Sequence, residues 1–182
     1  MKFKIIILLV CLLFIKLSNI QAQQTTIDSL KNVIETATHD STKVNALISL
    51  SEQIYSSDPK QFFDLSEESI QICEKNLNAE LNKPEQVFFE KKRNTSKIYT
   101  GMYYLDVRDF EVSETIFLEC LAIAKKYNDT ASISSMYANL GSVMSYQSDE
   151  KGAIKYFLMA YEIMLTQPKS LGQAYTLKNI AD

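Results

Sequence analysis

The sequence predicts an all-α fold, organised as a solenoid of antiparallel helix pairs. Residues 94–182 repeat with a period of forty, so that Gly101 recurs as Gly141 and Phe117 as Phe157. Such a period is typical of solenoids, in which each unit buries its apolar face only against the next unit. The chain has only four Gly and three Pro among 182 residues, and its apolar residues recur three and four positions apart. This composition and spacing favour helices throughout.

The first residues have the pattern of a secretory signal peptide. Lys2 and Lys4 precede an apolar run at 5–15, and Ala22 is a small residue suited to signal peptidase. The apolar run is shorter than the roughly 20 residues that a membrane span needs. We therefore expect residues 1–22 to be removed after export across the inner membrane to a periplasmic or other extracytoplasmic location. Retention of this segment as a membrane anchor stays open as the alternative.

The charge balance disfavours nucleic acids and anionic membranes as partners. The formal net charge is −3, and loss of the signal segment removes Lys2, Lys4 and Lys16 but no acid, which leaves −6. A mildly acidic surface keeps a solenoid soluble, whereas binding to nucleic acids or anionic membranes needs basic patches. We expect membrane contact only through the signal segment, if that segment is not cleaved.

Two of the three cysteines, Cys73 and Cys120, follow the signal segment. Cys120 takes the repeat position of Ala160, so we predict that it is a small buried hydrophobe, and that Cys73 plays a similar part. Two cysteines do not make a disulfide framework. A single Cys73–Cys120 bridge stays open, because connectivity cannot be read from a sequence.

The first three helices each show apolar residues three and four positions apart. They are predicted at 26–37, 42–56 and 59–77. Asp40 or Ser41 is the expected N-cap of the second helix. Asp58 followed by Pro59 is the start signal of the third, an N-cap with proline at the first helical position.

Four further helices follow, and a last one begins near the end of the sequence. They are predicted at 84–106, 110–127, 131–146 and 150–166, and from about 170 onward. Pro84 starts the first of these, and Asp109 and Asp149 are expected N-caps. The charged run at 90–93, Glu-Lys-Lys-Arg, is predicted to be a solvated face with local pairing of charges four residues apart.

The repeats resemble the tetratricopeptide repeat (TPR) family. In that family Gly and Ala stand where two helices cross closely, and aromatic residues fill the spaces beside them. In the unit counted from Ser134, the anchor positions are filled by Tyr137, Leu140, Gly141, Ala153, Phe157 and Ala160. In the unit counted from Asn94, they are filled by Gly101, Tyr104, Phe110, Ser113, Phe117, Cys120 and Leu121. A weaker unit at 42–77 has Leu47, Leu50, Phe62, Ser66 and Ser69 in these roles.

The resemblance covers about 42–182 and implies a right-handed superhelical solenoid. The expected segments are a signal peptide at 1–22, an N-terminal helix and turn at 23–41, a degenerate unit at 42–83, TPR units at 84–133 and 134–173, and the start of a further unit at 174–182. Lys97 departs from the family pattern, since it occupies the usual large aromatic position. The period also departs, being forty rather than about 34 residues. Extended units of this kind are similar to those in bacterial peptide-sensing regulators and kinesin light chains.

The resemblance further implies a binding surface, because the first helix of each TPR unit lines a concave face on which peptides lie. The inward positions are Thr95, Tyr99, Met102, Asp106, Ser135, Asn139, Ser142, Tyr146, Tyr175 and Asn179. Asn139 and Asn179 share one repeat position, where an amide can bond to a ligand backbone through its donor and its acceptor. The alternative, held equal, is that these two amides form hydrogen bonds with neighbouring helices or with water. The family's charged clamp for C-terminal carboxylates is missing here, since its basic positions hold Ile98, Ala138 and Thr95.

The sequence contains no recognisable catalytic constellation. His39 is the single histidine and stands in a polar turn, whereas metal sites and catalytic triads need several partners. We therefore expect a scaffold that binds a protein or peptide, with no catalysis and no cofactor or metal. Exported TPR proteins also look like the input regions of membrane-bound histidine kinases and transcriptional regulators. The alternative is thus a sensory region whose output domain lies beyond residue 182.

Overall fold

The structure, a computed structural model, describes residue 21 and residues 23–166 and shows seven α-helices in that part of the chain. The helices are α1 (23–36), α2 (Asp40–Ile54), α3 (Pro59–Leu77), α4 (Lys83–Asp106), α5 (Phe110–Lys126), α6 (Thr130–Tyr146) and α7 (Glu150–Leu165). No strand occurs among the described residues. The predicted all-α class is therefore confirmed, and each predicted helix in this range agrees with the structure to within about three residues at either end.

Several predictions fall outside the described residues. These are the signal segment except for residue 21, the helix expected from about 170, the truncated unit at 174–182, and the binding positions Tyr175 and Asn179. Within the described residues, no helix combines the length and the apolar character that a membrane crossing requires.

The chain divides into two compact units, the first ending at Leu65 and the second beginning at Ser66. In the first unit α2 supplies most of the buried apolar side chains, including Val44, Leu47 and Leu50. The predicted N-cap of α2, Asp40 or Ser41, is wrong. His39 occupies that position, is exposed, and makes no capping hydrogen bond with its side chain.

At the start of α3 the predicted cap is present, since Asp58 Oδ1 accepts a hydrogen bond from the Gln61 N–H at 2.9 Å. The N-terminus of α4 has a cap that was not predicted, formed by Asn82. Asn82 accepts from the Glu85 N–H at 3.0 Å, and Glu85 Oε2 accepts in return from the Asn82 N–H at 3.3 Å. This reciprocal pair is a capping box, which satisfies two backbone donors that a helix start otherwise leaves unpaired.

The second unit repeats one turn at intervals of twenty residues. Each turn has a residue with positive φ, at 67°, 50° and 63° in chain order, followed by an aspartate. The pairs are Arg108-Asp109, Asn128-Asp129 and Ser148-Asp149. In every case the aspartate N–H bonds to the carbonyl five residues earlier, which closes one helix in a Schellman motif. Its carboxylate then caps the next helix, and the predicted caps at Asp109 and Asp149 are confirmed.

These turns place consecutive helices side by side, so that α4 packs on α5, α5 on α6, and α6 on α7. The forty-residue repeat of the sequence is also a repeat of contacts. A Cβ atom on Gly101 would lie 2.7 Å from the Phe117 ring, and one on Gly141 would lie 2.7 Å from the Phe157 ring. Only glycine allows each pair of helices to approach this closely.

The repeat extends to buried hydrogen bonds between helices. Asn94 Nδ2 donates to the Cys120 carbonyl at 3.4 Å, and Ser134 Oγ donates to the Ala160 carbonyl at 3.1 Å. Both bonds join residues 26 positions apart and start from residues separated by forty. The two helix pairs α4–α5 and α6–α7 therefore share packing and hydrogen bonding, in addition to sequence.

Both described cysteines are free and buried, so the bridge left open by the sequence is absent. Cys120 belongs to the core of the second unit, with Phe117, Met136 and Leu140. Burial raises the pKa of each thiol to about 12. The prediction that Cys73 and Cys120 act as small hydrophobes is confirmed.

Candidate functional site

The predicted binding positions on α4 differ in exposure. Tyr99 and Met102 are half-buried, and Met102 packs against the apolar core of the second unit. Asp106 is exposed at the last position of the helix. Thr95 is half-buried and donates its hydroxyl hydrogen to the Lys91 carbonyl of its own helix at 3.2 Å. Met102 is therefore a packing residue as much as a surface residue.

On α6 the predicted positions are more open to a ligand. Ser135 is exposed, and Asn139 is half-buried. The Ser142 hydroxyl donates to the Ala138 carbonyl at 3.1 Å, so its hydrogen is used within the helix. The Asn139 amide makes no hydrogen bond to any other residue that the structure describes, so within this range both its donor and its acceptor are free.

Tyr146 is exposed at 57% of its accessible surface, more than Tyr99, the other predicted aromatic residue that the structure describes. Its ring stacks on Phe110 with centroids 6.1 Å apart and an interplanar angle of 6°. The Arg108 guanidinium lies 6.0 Å from the Tyr146 centroid, within reach of a cation–π contact. Tyr146 is thereby held by the turn between α4 and α5, and an aromatic ring fixed in this way is a common anchor at protein interfaces.

Arg108 and Phe110 were not predicted to join this cluster. Phe110 was recognised only as a packing position of the repeat. The recurring turn could have indicated both residues. When α5 and α6 pack antiparallel, the turn at 107–109 lies next to the end of α6.

In the charged run at 90–93, the prediction of local pairing is wrong for Glu90, which pairs with a residue of α5. Glu90 is half-buried and accepts hydrogen bonds from Lys126 Nζ at 2.6 Å and from the Tyr127 hydroxyl at 2.5 Å. These bonds join the third turn of α4 to the end of α5. They hold the pKa of the Glu90 carboxyl below its usual range, and Glu90 in turn raises the pKa of Lys126. Burial, followed by the nearby Glu90, raises the pKa of Tyr127.

A groove of about 230 Å³ lies beside this cluster, and we call it the lysine groove. Its lining residues are Lys91, Lys92, Asn94, Thr95, Ile123, Ala124, Tyr127, Asp129 and Ser132. The Lys91 ammonium lies 5.3 Å from the Tyr127 ring centroid, and the Lys92 ammonium lies 5.7 Å from that of Phe88. Thr95 belongs both to this groove and to the predicted inward positions of α4.

A second groove of about 280 Å³ is lined in part by Glu90, Arg93, Lys97 and Glu119. Its charges are largely paired, since Lys97 Nζ lies 2.9 Å from Glu119 Oε2 and Glu90 binds Lys126. The Lys97–Glu119 pair also accounts for the departure of Lys97 from the aromatic pattern. A charged side chain fits at this position because it has a partner on α5.

Comparison with known proteins gives a likeness of fold. No family model matches the sequence. No curated protein matches it either. Among solved structures, the crystal structure of BtubC (BKLC) from P. vanneervenii is similar, with a TM-score of 0.53 and 16% sequence identity. The likeness covers 87% of this chain and 82% of that chain. At this level of identity it supports the helical fold alone.

Proposed function

We propose that this chain is an exported TPR-like scaffold that binds a protein or peptide and has no catalysis of its own. The observation that carries the proposal is the repetition of α4–α5 by α6–α7 in sequence, in helix contacts and in turn geometry. Repeats that stack in this way present one helix of each pair along a continuous surface, and such surfaces generally serve binding. A right-handed superhelical solenoid is part of the proposal.

The proposed contact surface is formed by the first helix of each pair. On α6 it includes Asn139, whose amide is free among the described residues, and Tyr146, which is exposed and fixed by Phe110. On α4 it includes Tyr99 and Asp106. An extended ligand would receive backbone hydrogen bonds from Asn139 and an aromatic contact from Tyr146.

Site-specific photo-crosslinking in the native host tests this surface. A photoreactive amino acid placed at Tyr146 is expected to capture a partner, whereas the same group at Glu162, exposed on α7, is expected to capture none or different proteins. The captured partner is then used in a binding measurement. We expect Asn139→Ala/Tyr146→Ala to weaken its affinity at least tenfold and Glu162→Ala to leave it unchanged. Equal capture from both positions, with unchanged affinity of the double variant, would refute the proposal.

Export has a separate test. Mass spectrometry of the chain recovered from the extracytoplasmic fraction is expected to show Gln23 as the first residue. A chain that stays in the cytoplasm with residues 1–22 attached would contradict export and leave the binding proposal to stand on its own evidence.

A further inference from the structure

The lysine groove carries positive charge on a chain whose formal net charge is −3. We infer that this groove binds a short acidic segment of the partner, through carboxylate side chains that meet Lys91 and Lys92. The inference rests on the proposed function, since it assigns a chemical class to part of the ligand. It concerns residues different from Asn139 and Tyr146, so the two are tested by separate variants.

Both lysines of the groove are held by aromatic rings and not by carboxylates. Lys91 lies over Tyr127 and Lys92 over Phe88, and neither forms an ion pair with an acidic residue in the described part of the chain. A ring face attracts a cation without cancelling its charge. By contrast, Lys126 also lies near the Tyr127 ring, at 5.1 Å, but it is neutralised by Glu90. The aromatic rings therefore hold the ammonium groups of Lys91 and Lys92 in place, and both groups can still form an ion pair with a bound anion.

The single acidic residue that lines the groove already has another role. Asp129 Oδ1 accepts from the Ser132 N–H at 3.1 Å, and Asp129 Oδ2 accepts from the Ser132 hydroxyl at 2.9 Å. These bonds cap α6. The Asn94 amide donates to the Cys120 carbonyl, and the Tyr127 hydroxyl donates to Glu90. The two lysines thus remain the main donors that the groove offers to a ligand.

The size and charge of the groove favour an acidic peptide over a nucleic acid. About 230 Å³ accommodates one or two carboxylate side chains, but it lies below the roughly 300–1,000 Å³ of typical small-molecule sites. A DNA-binding surface commonly contacts on the order of 6–10 phosphates. Two lysines on an acidic chain do not provide that number of phosphate contacts. A few acidic side chains on an extended segment match both the volume and the charge.

Fluorescence anisotropy with the full chain and labelled peptides tests the inference. An oligoglutamate peptide is expected to bind with an affinity that falls as salt rises, and an oligoglutamine peptide of the same length is expected not to bind. Lys91→Glu/Lys92→Glu should weaken oligoglutamate binding at least tenfold. Lys151→Glu/Lys155→Glu makes the same change of net charge at exposed positions of α7 and should weaken it less than about twofold. If the charge reversal in the groove disturbs folding, Lys91→Gln/Lys92→Gln replaces it.

Three results would overturn the inference. One is an equal loss in the two double variants, which would show that only net charge matters. The second is oligoglutamine binding as tight as oligoglutamate binding. The third is tighter binding of a DNA duplex or of phosphatidylserine vesicles, since the groove would then serve a different class of ligand. Loss of oligoglutamate binding in Asn139→Ala/Tyr146→Ala is not expected, so that variant separates this inference from the proposed function.

Discussion

Three residues other than glycine adopt positive φ in the turns of the second unit, and this conformation is disfavoured for side chains with a Cβ atom. The residues are Arg108, Asn128 and Ser148. The left-handed region costs most L-residues about 1–2 kcal/mol, and asparagine tolerates it best. Glycine is the usual residue at this position of a Schellman motif. The chain therefore retains a strain at Arg108 and Ser148 that a single substitution can relieve.

We expect Ser148→Gly to raise the free energy of unfolding by about 0.5–1 kcal/mol, because relief of left-handed strain outweighs the added freedom of glycine in the unfolded chain. Asn128→Gly should change it less. Urea denaturation measures both. Ser135→Gly, at an exposed position inside α6, is the matched control and should destabilise by about 0.5 kcal/mol. If Ser148→Gly instead lowers the free energy of unfolding, the Ser148 side chain stabilises the fold by more than its left-handed conformation costs.

Gly141 is the second residue whose identity the packing requires. An added methyl group would lie 2.7 Å from two atoms of the Phe157 ring, which is buried in the second unit. We expect Gly141→Ala to lower the free energy of unfolding by about 1–3 kcal/mol, as overpacking usually does. Gly101→Ala should give a similar loss, since it would meet Phe117 in the same way. The double variant Gly141→Ala/Phe157→Leu should recover part of the stability, and no recovery would argue against a steric origin.

At the scale of the helices, local signals were sufficient to predict most element boundaries. Asp58-Pro59, Asp109 and Asp149 act on the residues next to them, and the structure shows these caps where they were expected. Asn82 and Glu85 have the spacing of a capping box, but Pro84 is itself a start signal and predicted a helix that begins without them. The pairing of Glu90 with Lys126 could not be predicted in the same way. It depends on which turn of α4 meets the end of α5, and that is decided by packing.

The Glu90 cluster links α4 to α5, and its contribution to stability should depend on pH. The pKa of Glu90 is lowered in the folded protein, so its contribution is present above the unfolded pKa and is lost as pH falls through the folded value. We expect Glu90→Gln to unfold at a lower urea concentration than the natural chain at pH 7. The difference should shrink steadily below about pH 4.3, the ordinary value for a glutamate.

Glu162→Gln, at an exposed position of α7, is the control for this experiment and should leave the urea midpoint unchanged across the pH range. A difference between Glu90→Gln and the natural chain that persists unchanged in acid would mean that Glu90 acts through packing and not through its charge.

At the scale of the whole molecule, the sequence predicted the repeat better than it predicted which side chains come together. At each crossing of two helices, a glycine on one helix faces an aromatic ring on the other. This pair recurs every forty residues, so the period is visible in the sequence. The Tyr146–Phe110 stack combines residues from two consecutive helices, and the lysine groove combines residues from three. Their assembly depends on which helix ends meet in the folded chain. Of the predicted binding residues, Tyr146 is exposed and Asn139 is half-buried, whereas Met102 packs against the core of the second unit.

The two buried thiols report whether the second unit opens as one body. Cys73 lies on α3 and Cys120 on α5, and α4 connects to both helices through hydrogen bonds from Ser96 to Ser69 and from Asn94 to the Cys120 carbonyl. Both thiols are buried and have a pKa of about 12, so neither should react with an alkylating reagent at pH 7.5 in the native state. Labelling then requires opening of the structure.

We expect Cys73 and Cys120 to be labelled with the same dependence on urea concentration, because α4 makes their opening cooperative. The chain from Gln23 onward contains no other cysteine, and mass spectrometry of proteolytic peptides measures each site separately. Ser135→Cys supplies an exposed thiol that should react at once and shows that the reagent is active. Distinct urea dependences for the two sites would indicate that the repeats open one by one, as nearest-neighbour coupling in repeat arrays allows. Rapid labelling without urea would instead contradict the burial of the thiols.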